Sequence, residues 1–296
     1  MLQFREIALG DRERANAALR ASDNMSCEYS FANNMAWRRL SDSKICLFKD
    51  FYIVCAFGTN DGIPSFTFPA GSGDVRELFC EMKNFCRELG VPLKIQGVTE
   101  KKLELLGELF PGEFTTEYDR DGSDYIYSRR ELAELRGRKF HGKRNHLAKF
   151  EKLDYRFSII TERDLDDCIR FIAEAYNASG SADYSAVAEQ FAVNTYFSFF
   201  RELELTGGII RIDGKVAAVT VGERLNSNTF CVHIEKADRR FDGIYAGINN
   251  LFVRSSAESL TYVNREEDLG LEGLRKAKLS YNPVFLLNKY TVTFND

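Results

Sequence analysis

The chain has 296 residues, of which 44% are hydrophobic and 28% charged, with a formal net charge of -4. Those values are ordinary for a globular protein of one large or two average domains. They leave no room for a transmembrane helix, because no run approaches about 18 consecutive apolar residues. The start, Met1-Leu-Gln-Phe-Arg-Glu, carries no signal-peptide pattern, so a cytoplasmic location is expected. The seven Cys are an odd number with no C-x-x-C pair, which reads as reduced, buried thiols rather than disulfides or zinc ligands. No metal site is expected. Charge is uneven: residues 129–152 hold nine Lys or Arg against three Glu, a local +6 that leaves the other residues at -10. A concentrated basic stretch in an acidic protein is a candidate anion-binding surface.

The first half reads as mixed helix and strand. Residues 11–22 are polar and helical, and residues 31–38 form a short helix that buries Trp37. Strands follow at 45–48, 52–57 and 65–68, the last stopping at Pro69. Asp74 opens an amphipathic helix over 75–89, with Leu78, Phe79, Met82, Phe85, Cys86 and Leu89 at helical spacing and Gly90 as its stop. A strand at 93–98 and a helix at 100–109 come next. An acidic loop, 117–124, precedes a strand at Tyr125-Ile-Tyr127.

The second half repeats the theme. A strand at 155–160 leads to a helix at 165–176, then to one long or two shorter helices over 184–205. Strands at 208–212 and 215–222 flank Asp213-Gly214, a pair that favours a tight hairpin turn. A strand at 229–234, a helix at 246–258, a strand at 260–263, a helix at 271–279 and a final strand at 284–292 complete the order. The fold class is α+β. The succession of two helices, three strands, helix, strand, helix, strand is that of a GNAT (acyl-CoA N-acyltransferase-like) module. Two tandem modules are expected, residues 1–130 and 139–296, divided near 128–138, with the second carrying the site.

Three blocks carry the chemistry. The first is Lys139-x-x-x-Lys143-Arg144-Asn145-His146-x-x-Lys149-Phe150, a short basic helix suited to phosphate. The second is His233-Ile-Glu235-Lys-Ala, followed by Arg240-x-x-Gly243-x-Tyr245, where a strand passes into a helix. The third is the run Asn264-Arg265-Glu266-Glu267-Asp268-x-Gly270, continuing to Arg275, Lys278 and Tyr281-Asn-Pro283. Arg275 and Lys278 share a helix face, and Arg suits bidentate binding of phosphate or carboxylate.

These blocks resemble the signature of the phosphatidylglycerol lysyltransferase C-terminal family, largely uncharacterised bacterial proteins with tandem GNAT folds. The resemblance implies an acyl- or aminoacyl-transferase that moves an activated acyl group to the amine or hydroxyl of a small molecule or lipid headgroup. The implied donors are aminoacyl-tRNA, bound by its acceptor end, or an acyl-CoA, with no further cofactor. Glu235 would face the GNAT cleft as general base. Asp268 and Glu267 would hold an amino group, and Tyr281 would protonate a leaving group. Asn264 and Arg265 would belong to the same binding loop. In acetyltransferases the strand–helix junction holds the coenzyme A pyrophosphate through Arg/Gln-x-x-Gly-x-Gly/Ala. Here Tyr245 replaces the small last residue, which argues against close backbone approach by a pyrophosphate. The alternative from another class is a non-catalytic GNAT-fold module that binds a phosphorylated or acidic ligand.

Overall fold

Asp74 and Gly90 bracket the helix that the sequence marks most plainly. In the computed structural model, which describes residues 2–179 and 184–295, this helix spans Val75–Leu89. The Asp74 carboxylate accepts the Glu77 N–H at 3.0 Å, and Gly90 closes the helix in the left-handed region at φ 70°. Leu78, Phe79, Met82 and Cys86 form its buried face.

The chain divides into two units. The first is Met1–Asp124 with Glu267–Gly270 and Leu287–Asp296; the second is Tyr125–Glu266 with Leu271–Leu286. Elements of the first are β1 (Arg5–Glu6), α1 (Arg12–Ser22), α2 (Phe31–Trp37), β2 (Ser43–Phe48), β3 (Phe51–Ala56), β4 (Ser65–Thr67), β5 (Ala70–Gly71), α3 (Val75–Leu89), β6 (Lys94–Thr99) and α4 (Glu100–Leu109). Strand β7 (Phe114–Ser128) starts in the first unit and ends in the second. The second continues with α5 (Arg129–Glu134), α6 (His141–Phe150), β8 (Tyr155–Ile159), α7 (Leu165–Ser179), α8 (Tyr184–Ser198), β9 (Thr206–Ile212), β10 (Lys215–Arg224), β11 (Thr229–Ala237), α9 (Ile244–Ser256), β12 (Tyr262–Asn264) and α10 (Glu272–Leu279). The last strand is β13 (Phe285–Phe294).

The strand pairing is the same in both units. In the first, β1, β2, β3 and β4 pair antiparallel in turn, and β4 pairs β6 parallel across the α3 crossover. In the second, β8, β9, β10 and β11 pair antiparallel, and β11 pairs β12 parallel across α9. Each series closes with an antiparallel strand taken from the other half of the sequence. The first unit receives β13 against β6, with Tyr290 opposite Val98. The second receives the end of β7 against β12, with Tyr127 opposite Val263.

This exchange moves the boundaries away from the expected 1–130 and 139–296. Val292 and Phe294 lie in the first unit's apolar core with Phe66, Phe79 and Phe110, so the chain's end belongs there. The expected divide at 128–138 is instead α5 and its exit, and Leu132 is buried in a second-unit core with Tyr127, Phe230 and Phe252. The acidic stretch expected as a loop is also corrected: 117–124 is part of β7. Asp124 accepts from Lys289 Nζ at 2.7 Å. The hairpin at Asp213-Gly214 follows the expected turn chemistry, both residues having positive φ (51° and 75°).

Candidate functional site

In the second unit, β11 and β12 pair parallel only from Thr229↔Tyr262 to Cys231↔Asn264. There β12 ends, while β11 runs on to Ala237. From Val232 onward β11 has no β12 residue opposite it. The register of β11 on β10 slips at His233, where Val221 faces Ile234 and Gly222 faces Val232, so simple alternation fails: Glu235 meets Asn249 of α9, whereas His233 stacks on Tyr196 of α8. Arg265 leaves the end of β12 toward Glu235.

Glu235 and Arg265 form the centre. Arg265 Nη2 donates to Glu235 Oε1 at 3.0 Å, and Asn249 Nδ2 on α9 donates to Glu235 Oε2 at 3.0 Å. Both charged side chains are nearly enclosed, at 11% exposure for Glu235 and 12% for Arg265. Burial opposes the Arg265 charge, but Glu235, Tyr127 and Tyr281 together more than offset it and the guanidinium is held above its usual range. Its Nη1 is buried with no hydrogen-bond partner. A buried unpaired N–H of a cation costs free energy that a bound anionic or carbonyl oxygen would recover.

Aromatic rings wall this centre. The Arg265 guanidinium carbon lies 4.8 Å from the Tyr281 ring and 5.7 Å from the Tyr127 ring. The two rings meet edge to face at 6.5 Å. Tyr127 donates its hydroxyl to the Lys278 carbonyl at 2.8 Å. Burial pushes the Tyr281 hydroxyl up to about 12, with Arg265 opposing, so it is a proton donor at neutral pH. Lys143 on α6 places Nζ 3.6 Å from the Tyr281 ring centre. Burial, reinforced by the Arg265 charge, lowers its ammonium to about 8, with Glu235 acting the other way.

A second polar cluster lies on the same strand. His233 Nδ1 is 2.8 Å from Glu266 Oε1 and its Nε2 is 3.0 Å from Glu223 Oε1. The Tyr196 ring stacks on the imidazole at 5.1 Å. Burial disfavours a charged imidazole, but the surrounding Tyr196, Cys231 and Glu223 raise His233 well above its ordinary value.

The structure brings Glu235, Arg265, Tyr281 and Lys143 together in the second unit, with Lys278 and Asn264 supporting them. Lys278 is buried and donates Nζ to the Arg265 carbonyl at 2.5 Å, so it fixes the loop. The Asn264 side-chain oxygen accepts the Glu266 N–H at 2.6 Å. Other expected site residues lie elsewhere. Asp268 and Glu267 belong to the first unit, where Asp268 pairs with Arg120 at 3.2 Å and Glu267 lies 3.4 Å from Cys27 Sγ. Arg144 donates to the carbonyls of Leu135 and Gly137, at 2.6 and 2.7 Å, which ties down the end of α5. Asn145 Nδ2 is 3.3 Å from His141 Nε2, and His146 is exposed. Arg240 is exposed and paired with Asp238. Arg275 is half-buried on α10.

Gly243 has a packing role. It starts α9 at φ 81°, and a Cβ there would lie 2.0 Å from the His146 carbonyl oxygen. One turn on, a Cβ at Gly247 would meet the Phe150 ring at 2.5 Å. The α6 backbone therefore fills the space beside the first turn of α9. Tyr245 is partly buried and packs with Ile244, Ile248 and Phe150. Sequence reasoning gave no site role to Tyr127 or Asn249. Tyr127 alternates like core, and Asn249 was visible only as one residue of a family block.

Residues 19–293 match the family model "Phosphatidylglycerol lysyltransferase, C-terminal". The chain belongs to that family. A protein of unknown function from Bacteroides thetaiotaomicron is 36% identical, with a TM-score of 0.92 and full coverage of both chains. L-PGS from Bacillus licheniformis is 14% identical with a TM-score of 0.67, covering 96% of this chain and 92% of that one. FemX is 9% identical with a TM-score of 0.61, covering 98% and 96%, a likeness of fold. An uncharacterised protein of Mycoplasmoides gallisepticum is 27% identical over 182 residues, which is 57% of this chain and 56% of that protein. The fold is the expected α+β, tandem GNAT-like one, and family and fold together define a GNAT-like acyltransferase domain. Among the described residues no helix is long and apolar enough to cross a membrane.

Proposed function

We propose that the second unit transfers an aminoacyl group from the ester of a charged tRNA end to an amine or hydroxyl acceptor. The observation that carries this reading is the Glu235–Arg265 pair where β11 and β12 part, with its unpaired Arg265 Nη1 beside the Lys143 amine. The ester carbonyl would sit against Arg265 Nη1. Neutral Lys143 would take the proton of the acceptor N–H or O–H as that atom attacks the carbonyl carbon. Negative charge developing on the carbonyl oxygen would be met by the guanidinium. The C–O ester bond then breaks, and the Lys143 ammonium returns its proton to the leaving ribose oxygen. This moves the base role from Glu235 to Lys143. Each Glu235 oxygen already accepts a hydrogen bond, so the carboxylate serves to orient Arg265 and offset its charge.

The packing of α6 on α9 supports a donor other than coenzyme A. Backbone amides at the start of α9 would have to approach a pyrophosphate, and the α6 backbone already abuts Gly243 there. The experiment is loss of labelled amino acid from a panel of charged tRNAs, with and without amine and lipid-headgroup acceptors. Transfer that disappears in Lys143→Met and Arg265→Met supports the reading. Turnover of acetyl-CoA with no aminoacyl transfer refutes it.

A further inference from the structure

We propose that Cys231, His233 and Glu266 form a binding site for a divalent transition metal of the zinc type. Cys231 and His233 lie on β11, and Glu266 follows β12 beside them. Cys231 Sγ lies 3.7 Å from His233 Nδ1 and 3.9 Å from Glu266 Oε1, and Nδ1 lies 2.8 Å from the same oxygen. Tetrahedral zinc with ordinary bond lengths sets its donors about 3.4–3.6 Å apart. Two separations are therefore near that spacing, and the Glu266 carboxylate must back away from the imidazole by roughly 0.6 Å to admit an ion.

Three further features fit a ligand set. Glu223 accepts at His233 Nε2, 3.0 Å away, and Nδ1, which meets Glu266 at 2.8 Å, is the ring atom that a metal would take over. That is the carboxylate–histidine–metal arrangement that fixes tautomer and ring orientation. The imidazole is fully enclosed, and Tyr196 stacked on its face holds the ring plane. Glu266 adopts φ 56°, a left-handed conformation uncommon for glutamate, and the Asn264 side chain holds its N–H.

The first unit offers a contrast. Cys27, Asp124 and Glu267 also cluster, but Lys289 Nζ lies 2.7 Å from Asp124, 2.7 Å from Glu28 and 3.6 Å from Cys27 Sγ. An ammonium already takes the cation's place there.

The test uses the untagged full chain. Metal content is measured after purification, and the chelator-stripped protein is titrated with cobalt(II) as a spectroscopic probe. The expected results are one zinc per chain and a thiolate-to-cobalt charge-transfer band. That band is lost in Cys231→Ser and kept in Cys80→Ser, which alters an exposed cysteine. Stripping lowers the melting temperature, and zinc but not magnesium restores it. Absence of stoichiometric zinc together with absence of a cobalt–thiolate band in the unmodified chain overturns the proposal. A band that persists in Cys231→Ser overturns it as well. Neither reading depends on a transferase assay, so this site can fail while the proposed activity stands.

Discussion

Replacing Glu235 with Ala tests how strongly the buried Glu235–Arg265 pair is coupled. The carboxylate is nearly enclosed and accepts from both Arg265 and Asn249 at 3.0 Å. Its removal leaves a buried guanidinium with Nη1 already unpartnered and Nη2 newly so. Breaking a buried ion pair on one side costs about 3–5 kcal/mol, because the other charge stays desolvated. The expected loss for Glu235→Ala is thus about 4 kcal/mol, read by urea unfolding followed in far-UV ellipticity. Arg265→Met removes the stranded charge, so Glu235→Ala in that background should cost about 2–3 kcal/mol less than alone. A single-variant loss below about 1 kcal/mol, the size of an exposed ion pair, would refute the claim that this pair is desolvated and coupled.

Gly243→Ala should cost about 3 kcal/mol, from positive-φ strain plus contact with the His146 carbonyl, whereas Gly62→Ala, with positive φ but open space, should cost about 1 kcal/mol. Equal losses in thermal melts would deny that α6 packs on Gly243. Lys143 should react with an amine reagent ahead of the exposed lysines at pH 8, because its folded value is lowered to about 8; peptide mapping that places it among the slowest contradicts this. The sign for function follows: the neutral amine is scarce below about 8 and accumulates above it, so transfer should rise with pH through that value and level off, and Lys143→Arg should abolish the rise. Tyr281→Phe keeps the ring against Arg265 and Lys143 and should change stability little; a transfer rate lowered tenfold or more would assign the hydroxyl to the reaction.

Local signals in the sequence located most elements. α3 was bounded correctly because an acidic cap, an apolar stripe and a stop glycine agree. Residues 117–124 read as a loop because the cation that offsets Asp124, Lys289, comes from a remote segment. Nothing local marks the exchange of β7 and β13, since strand pairing is decided by partners far away in the chain. The site was legible in part. Glu235 stands out on its strand, but nothing near it in the sequence marks its partner. The actual partner, Arg265, lies 30 residues on and is brought near by the parallel pairing of β11 and β12. Asp268 looked catalytic because it is acidic and follows Arg265. The left-handed Glu266 turns the chain between them, and Asp268 meets Arg120.

The most direct test of the proposed activity is a donor competition under one set of conditions. The purified chain is given a mixture of charged tRNAs, acetyl-CoA and an amine or lipid-headgroup acceptor, and both donors are followed. The account predicts that aminoacyl groups leave tRNA and appear on the acceptor, that acetyl-CoA is untouched, and that Lys143→Met abolishes the transfer. Consumption of acetyl-CoA with the charged tRNAs intact would contradict it.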